Sequence, residues 1–193
     1  MPKYDHTFLE GADPVVYTRR IGIEPDQWQA AVLRSKSRRI VINCARQVGK
    51  STITGALLAY TAETFPGSLS LLIAPSLRQS LLLFEKVHGP IDLSGVGTLK
   101  STASEKRLRN GSKVVALPGN PKTARGFGGV DLLVIDEAAY TPQSLFDSVL
   151  PMVIISQGRV ILLSTPRAKQ GMFWDAWQDE EYEQFRITAY DCP

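Results

Sequence analysis

Ile40-Val41-Ile42-Asn43-Cys44-Ala45-Arg46-Gln47-Val48-Gly49-Lys50-Ser51 is the stretch that decides how this chain folds. Ile40 to Cys44 is a short apolar run that predicts a strand, and residues 50–64 predict a helix that stops before Pro66-Gly67. A strand that turns at once into a helix presents free backbone N–H groups at a helix N-terminus, where the macrodipole also favours an anion. Gly49 lets the backbone lie close to phosphate oxygens, Lys50 supplies positive charge to them, and the Ser51 hydroxyl suits a Mg²⁺ ion. The usual phosphate-loop pattern has another Gly five residues before Gly49, and Cys44 stands there instead. The candidate phosphate-binding residues are Arg46, Gln47, Val48, Gly49, Lys50, Ser51 and Thr52.

A second signal lies further along, in Asp131-Leu132-Leu133-Val134-Ile135-Asp136-Glu137. Two adjacent carboxylates end an apolar strand at its C-terminal tip, the edge at which open α/β sheets bind ligands. Packing alone gives no reason for them, because an unpaired carboxylate there costs free energy. Asp136 is the candidate Mg²⁺ holder, and Glu137 the candidate base for a water attacking the γ-phosphate of ATP.

Working outward, Pro25 opens a helix from Asp26 to Arg34 with Trp28, Ala31 and Val32 on its buried face. Leu69 to Ala74 and Val160 to Leu163 read as buried strands, and 76–88, 142–152 and 171–178 as helices. Gln184 to Ala189 reads as a last strand, and residues 1–24 as an irregular N-terminal segment before a single domain, 25–193. Asn110-Gly111 between two short runs signals a β-hairpin. Apolar strands alternating with helices mean an α/β fold with a mainly parallel sheet covered on both faces.

At 193 residues and 44% hydrophobic content the chain can bury a core, and it contains no apolar run long enough for a membrane helix. Two cysteines and two histidines exclude a disulfide scaffold and argue against a Cys/His zinc site. Residues 1–174 carry a charge of +8, and residues 175–193 carry −5. A basic body suits an anionic partner. Lys100, Lys106, Arg107, Arg109 and Lys113 cluster on the hairpin as candidate DNA-backbone contacts. The tail acids Asp175, Asp179, Glu180, Glu181 and Glu183 read as a solvated face.

With those residues in hand, the chain resembles the ATPase domain of the large terminase subunit, the motor that packages DNA in tailed phages. Ala45 to Ser51 resembles that family's phosphate loop, which often lacks the first Gly and carries Arg-Gln here. Trp28-Gln29 resembles its adenine-recognition segment, Thr123-Ala124-Arg125-Gly126 stands at the family's spacing before the Asp-Glu strand, and Ser164-Thr165-Pro166 resembles its coupling motif. Gly171-Met172-Phe173-Trp174 matches the helix that follows. The resemblance spans about residues 25 to 190. It implies a RecA/ASCE-type P-loop NTPase fold with a β-hairpin insertion, ATP and Mg²⁺ as cofactors, and DNA translocation driven by hydrolysis. It implies double-stranded DNA, a portal protein and a small terminase subunit as partners. A ring assembled from subunits that are monomeric in isolation is expected, with no membrane, in the cytoplasm of an infected or lysogenic bacterial host. The family's nuclease domain is not expected within these 193 residues. Two other readings stay open: a DEAD-like helicase-type ATPase, and a nucleotide-binding assembly module without turnover.

Arg125 sits in Lys122-Thr123-Ala124-Arg125-Gly126-Phe127-Gly128-Gly129, where three glycines in four residues predict a mobile loop. At about 3.3 Å per residue, the strand from Asp131 separates this loop from Glu137 by roughly 20 Å. The expected role for Arg125 is therefore catalysis in a neighbour's site, as an arginine finger. Subunits carrying Arg125→Ala and subunits carrying Lys50→Ala should each be inactive and should restore ATP hydrolysis when mixed. A verified mixed assembly that stays inactive removes the finger.

Overall fold

The computed structural model describes residues 13–93, 96–124 and 126–191. Its strands are β1 (Arg39–Cys44), β2 (Leu69–Ala74), β3 (Thr98–Ser101), β4 (Glu105–Leu108), β5 (Lys113–Pro118), β6 (Leu132–Asp136), β7 (Arg159–Ser164) and β8 (Glu183–Ile187). They form one eight-stranded sheet in the order β3-β4-β5-β2-β6-β7-β1-β8. Along that order every pair from β5 to β8 is parallel, and only β3–β4 and β4–β5 are antiparallel. The fold is the expected mainly parallel α/β architecture.

Alternation along the strands assigns the two faces. Ile40, Ile42, Leu72, Leu132, Val134, Ile161 and Leu163 belong to one core cluster, and Val41, Leu71, Ile73, Leu133, Ile135, Val160 and Leu162 to the other. Both sides of a parallel sheet need helices, since neither can face water. On the first face pack α1 (Pro14–Arg20), α2 (Gln27–Arg34), α3 (Lys50–Thr64) and α4 (Leu77–Leu93). On the second lie α5 (Pro121–Ala124), α6 (Gln143–Ser156) and α7 (Met172–Gln178).

The chain before residue 24 is not irregular where it is described. Asp13 caps α1 by accepting the Val15 N–H at 2.9 Å, with Pro14 in the first helical turn. Tyr17 donates to Glu63 at 2.6 Å, tying α1 to the far end of α3. A proline-bearing segment that looks like coil is thus an N-capped helix. On α2 the buried residues are Trp28, Gln29, Val32 and Leu33, while Ala31 is exposed.

Two helices carry a proline inside them, and both run further than the expected ends at 88 and 152. Burial of Ile91 keeps α4 helical beyond Pro90, and burial of Val153 keeps α6 helical beyond Pro151. Pro90 has no N–H for the Lys86 carbonyl, and that carbonyl lies where Gly55 of α3 packs closely, since a Cβ on Gly55 would stand 2.7 Å from it. At the C-terminus the last strand ends at Ile187, and a 3₁₀ turn, Ala189–Asp191, follows it.

The hairpin is fused to the main sheet, because β5 pairs parallel with β2. Its cations are partly paired within the chain. Lys106 is 1% exposed and donates to Asp92 at 2.6 Å and to the His88 carbonyl at 3.4 Å. Lys100, Arg107 and Lys113 all lie within 3.7 Å of the Glu105 carboxylate. Such pairing lowers the field available to a polyanion. Of the five cations only Arg109 has no acidic partner among the described residues. Two of the tail acids are engaged near the start of β1, with Glu181 on Arg39 and Glu183 accepting from Ser35.

Gly158 joins α6 to β7 at a point with no room for a side chain: a Cβ there would stand 2.2 Å from the Val130 carbonyl oxygen. Gly128, with ordinary φ, has open space. Gly158→Ala should therefore lower unfolding stability by about 1–3 kcal/mol, and Gly128→Ala should change it by less than about 0.5 kcal/mol. Denaturant titration checks both. Equal stability for the two variants contradicts this packing.

Candidate active site

The candidate site forms at the C-terminal edge of the sheet, where β1, β6 and β7 end side by side. β1 leads into the phosphate loop and then α3. Gln47 and Gly49 both adopt left-handed backbone, with φ of 63° and 80°. Gly49 has a second reason to be glycine, because a Cβ would stand 2.7 Å from the Gln29 amide nitrogen. Cys44 is buried with its Sγ 3.7 Å from the Ser164 carbonyl oxygen, so the deviant position packs a small side chain against β7.

Lys50 opens α3 and reaches across to β6. Its Nζ lies 3.2 Å from Asp136 Oδ1 and forms an ion pair and hydrogen bond with Glu137 Oε1. Asp136 follows the α3-facing positions Leu132 and Val134 along the strand. By strict alternation Glu137 would fall on the opposite face. Its φ of 50° breaks the strand into the 3₁₀ turn Ala138–Tyr140 and brings its carboxylate to the same lysine. Left-handed backbone at a non-glycine residue costs roughly 1–2 kcal/mol and is characteristic of functional positions.

β7 supplies the other half of the Glu137 environment. Ser164 Oγ lies 3.2 Å and Thr165 Oγ1 3.3 Å from Glu137 Oε2, both as donors. Ser164 Oγ also accepts the Ala139 N–H at 3.3 Å, fixing the turn that carries Glu137. Pro166 then ends the motif in the open.

The three charges perturb one another. Burial pulls the Lys50 ammonium down, but the Asp136 and Glu137 carboxylates together outweigh it and hold it above the usual lysine value. Burial raises the Asp136 carboxyl above its ordinary value, with the Glu137 charge adding to the rise and Lys50 opposing it. For Glu137 burial also pushes upward, but bonding and attraction to Lys50 win, and its carboxyl lies below the usual range.

A cavity of about 460 Å³ opens over this cluster, lined by Arg46, Gln47, Lys50, Pro75, Gln79, Glu137, Tyr140 and Thr165. Pro75, Gln79 and Tyr140 escaped the sequence reading. Each sits just beyond the C-terminal tip of β2 or β6, which is the signal that could have found them. Gln29 is buried against Gly49, and its Oε1 accepts the Asp26 N–H at 2.9 Å to cap α2. Trp28, on the buried face of α2, packs in the core, and its indole N–H finds no acceptor among the described residues. Neither lines the cavity. Val48 is buried, and Ser51 and Thr52 are half-buried in the first turn of α3. Arg125 lies outside the described residues.

Mg²⁺ fits this donor set. Asp136 Oδ1 is buried and makes no aligned hydrogen bond, and the Ser51 hydroxyl belongs to the residue after Lys50. One carboxylate and one hydroxyl, with phosphate and water as further ligands, is chemistry that magnesium favours. Among the described residues no group of three or more His, Cys, Asp or Glu could enclose a metal by itself.

Comparison with known proteins places this arrangement. Residues 41–168, from β1 through the Ser164–Pro166 motif, match the family described as RNA cytidine acetyltransferase NAT10/TcmA, helicase domain. The chain belongs to that helicase-domain family. Its curated relatives are large terminase subunits: that of Thermus phage G20c is 28% identical over 175 residues, and that of Thermus virus P23-45 is 26% identical. Both alignments cover 80% of this chain and 36% of the relative, so the chain spans about a third of those proteins. In structure, this helicase-domain family member is similar to the large terminase ATPase domain of Thermus phage P74-26, with a TM-score of 0.81, 21% identity and 91% and 86% of the two chains covered. The large terminase of another thermophilic bacteriophage, in complex with ADP, superposes with a TM-score of 0.71, at 11% identity over 86% of this chain and 46% of that one.

The Asp136 shift has a measurable consequence. A carboxyl with a raised folded-state pKa binds its proton more readily in the folded chain, so its charge opposes folding fully above that pKa, and the penalty fades as pH falls to the ordinary carboxyl value. Asp136→Asn should therefore raise the melting temperature of the nucleotide-free chain at neutral pH while shrinking the further rise produced by Mg²⁺ and ATP. A lower melting temperature with an undiminished Mg²⁺-ATP response contradicts this assignment.

Proposed function

We propose that this chain is the ATP-hydrolysing motor domain of a large terminase subunit, acting to drive double-stranded DNA into a viral procapsid. The observation that carries the reading is the single lysine at the head of α3 held between Asp136 and Glu137, at the mouth of a cavity of about 460 Å³. Similarity to large terminase subunits over 80% of the chain supports ATPase activity and a packaging role in general terms. The large terminase of the second thermophilic phage is known in complex with ADP and with ATP-γ-S, which supports a nucleotide as the ligand here.

The chemistry follows from the electrostatics. The triphosphate would enter the loop Arg46–Ser51, whose N–H groups and helix N-terminus favour anions. Lys50 would exchange Glu137 for phosphate oxygens, a transfer between anions that keeps the ammonium paired throughout. Asp136 and Ser51 would hold Mg²⁺, which offsets phosphate charge when bound. Once Lys50 leaves, Glu137 loses the influence that holds its carboxyl down, while burial still raises it. It becomes a stronger base when a water needs one. Ser164 and Thr165 keep its other oxygen oriented and, as the coupling motif, would pass the loss of phosphate to DNA-gripping parts. Trp28 and Gln29 would support the base-binding side from behind the loop. Portal protein, small terminase subunit and a ring of copies, with Arg125 reaching between neighbours, complete the proposed motor in the host cytoplasm. Among the described residues no helix is long and apolar enough to cross a membrane.

The family match to a helicase domain favours one second reading, a strand-separating ATPase. Strand displacement by the chain would support it, and translocation along intact duplex would support the motor.

Glu137→Gln tests the chemistry, since it keeps shape and removes the base. ATP binding should be retained while hydrolysis falls by about two orders of magnitude or more. Parental turnover in Glu137→Gln would refute the base assignment. A parent that binds ATP and never hydrolyses it would leave a nucleotide-binding assembly module instead.

A further inference from the structure

β7 lies between β6, which ends in Asp136-Glu137, and β1, which leads into the phosphate loop. The loop that follows Ser164 must leave the sheet between those two features. Thr165 at its start lines the cavity, and Arg167 is two residues further on. The Arg167 guanidinium lies over the Tyr140 ring, 4.9 Å from its centroid, and Tyr140 itself lines the cavity. At the far end of the same loop Lys169 lies 5.7 Å from the Trp174 ring centroid on α7. Two cation–π contacts thus hold an otherwise irregular segment at the rim of the site.

Arg167 is exposed and has no carboxylate partner among the described residues. Stacking over a ring uses the face of a guanidinium and leaves its in-plane N–H donors available for a bidentate contact with phosphate oxygens. The position also selects which phosphate. Arg167 is not itself among the residues lining the cavity, but it stacks on Tyr140, which lines it together with Glu137 and Thr165, the side from which water would attack, whereas Arg46 belongs to the phosphate loop. Lys50 is a single cation placed between two carboxylates, so a terminal phosphate, which adds further negative charge, is better held with a second cation on the Glu137 side.

We infer that Arg167 binds the terminal phosphate of the nucleotide from within the same chain, aimed by the ring of Tyr140, and so distinguishes ATP from ADP. This rests on the nucleotide-site reading above. It differs from the finger expected of Arg125, because it needs no neighbouring subunit. The terminal phosphate departs with hydrolysis, so the contact exists before the reaction and is lost after it. Arg167 stands one residue beyond the coupling motif, where that loss would be felt first.

The experiment measures binding of ADP and of a non-hydrolysable ATP analogue, both with Mg²⁺, by calorimetry on the full chain. In Arg167→Ala the affinity for ADP should stay within about twofold, while that for the triphosphate analogue falls about tenfold or more, the scale of a lost charged hydrogen bond. The kcat for ATP should fall with it. Tyr140→Ala, which frees the guanidinium, should shift the ratio of affinities the same way by a smaller factor, and Tyr140→Phe should recover most of that shift. An unchanged ratio in Arg167→Ala overturns the inference, as does an equal loss for both nucleotides. Weaker DNA binding with an unchanged ratio also overturns it, and assigns Arg167 to the DNA backbone. A parent that binds both nucleotides without hydrolysing either defeats the proposed ATPase reaction, yet the ratio still decides the role of Arg167.

Discussion

The Lys50 ammonium lies between two carboxylates that the chain brings together from adjacent residues, and the site is organised around that contact. It offsets part of the cost of taking both carboxylates out of water. Desolvation raises the pKa of both acids, and only Glu137, which makes the closer contact, is carried below its ordinary value. Asp136 is left with an oxygen that no hydrogen bond satisfies. In the proposed reading a cation and an anion would enter together, because a metal would satisfy the carboxylate while phosphate would take the lysine.

The sheet explains why these groups meet. Placing β7 between β6 and β1 puts Ser164 and Thr165 beside Glu137 and lets Cys44 pack against the Ser164 carbonyl. Parallel strands all deliver their C-terminal ends to one edge, so residues 44, 136 and 164 converge although they are far apart in sequence. The turn at Glu137 adds the one local distortion required. Its left-handed backbone lets two successive side chains serve the same lysine.

Much of this was legible in the sequence because it depends on local pattern. Strand limits at Leu69–Ala74, the Asn110-Gly111 turn and the start of α3 follow from apolar runs, turn chemistry and a glycine before a lysine. That both motifs end at one edge of the sheet was legible too, whereas the direct contact of Lys50 with Asp136 and Glu137 was not. What stayed hidden depends on distant partners. The helix expected over 76–88 runs on through Pro90 to Leu93, where buried Ile91 packs in the core. Lys106 looks like a surface cation until Asp92 and the His88 carbonyl are found beneath it. Tyr140 and Arg167 carry no motif at all. Their importance comes from stacking across two loops that only the sheet order brings together.

The central proposed event is a transfer of Lys50 from carboxylate to phosphate, and a crystal structure of the chain with Mg²⁺ and a non-hydrolysable ATP analogue observes it directly. Lys50 Nζ should leave Glu137 for the phosphate oxygens within the Arg46–Ser51 loop, while Glu137 keeps its bonds to Ser164 and Thr165. A nucleotide bound with the Lys50–Glu137 pair intact, or with its phosphates outside that loop, would contradict it.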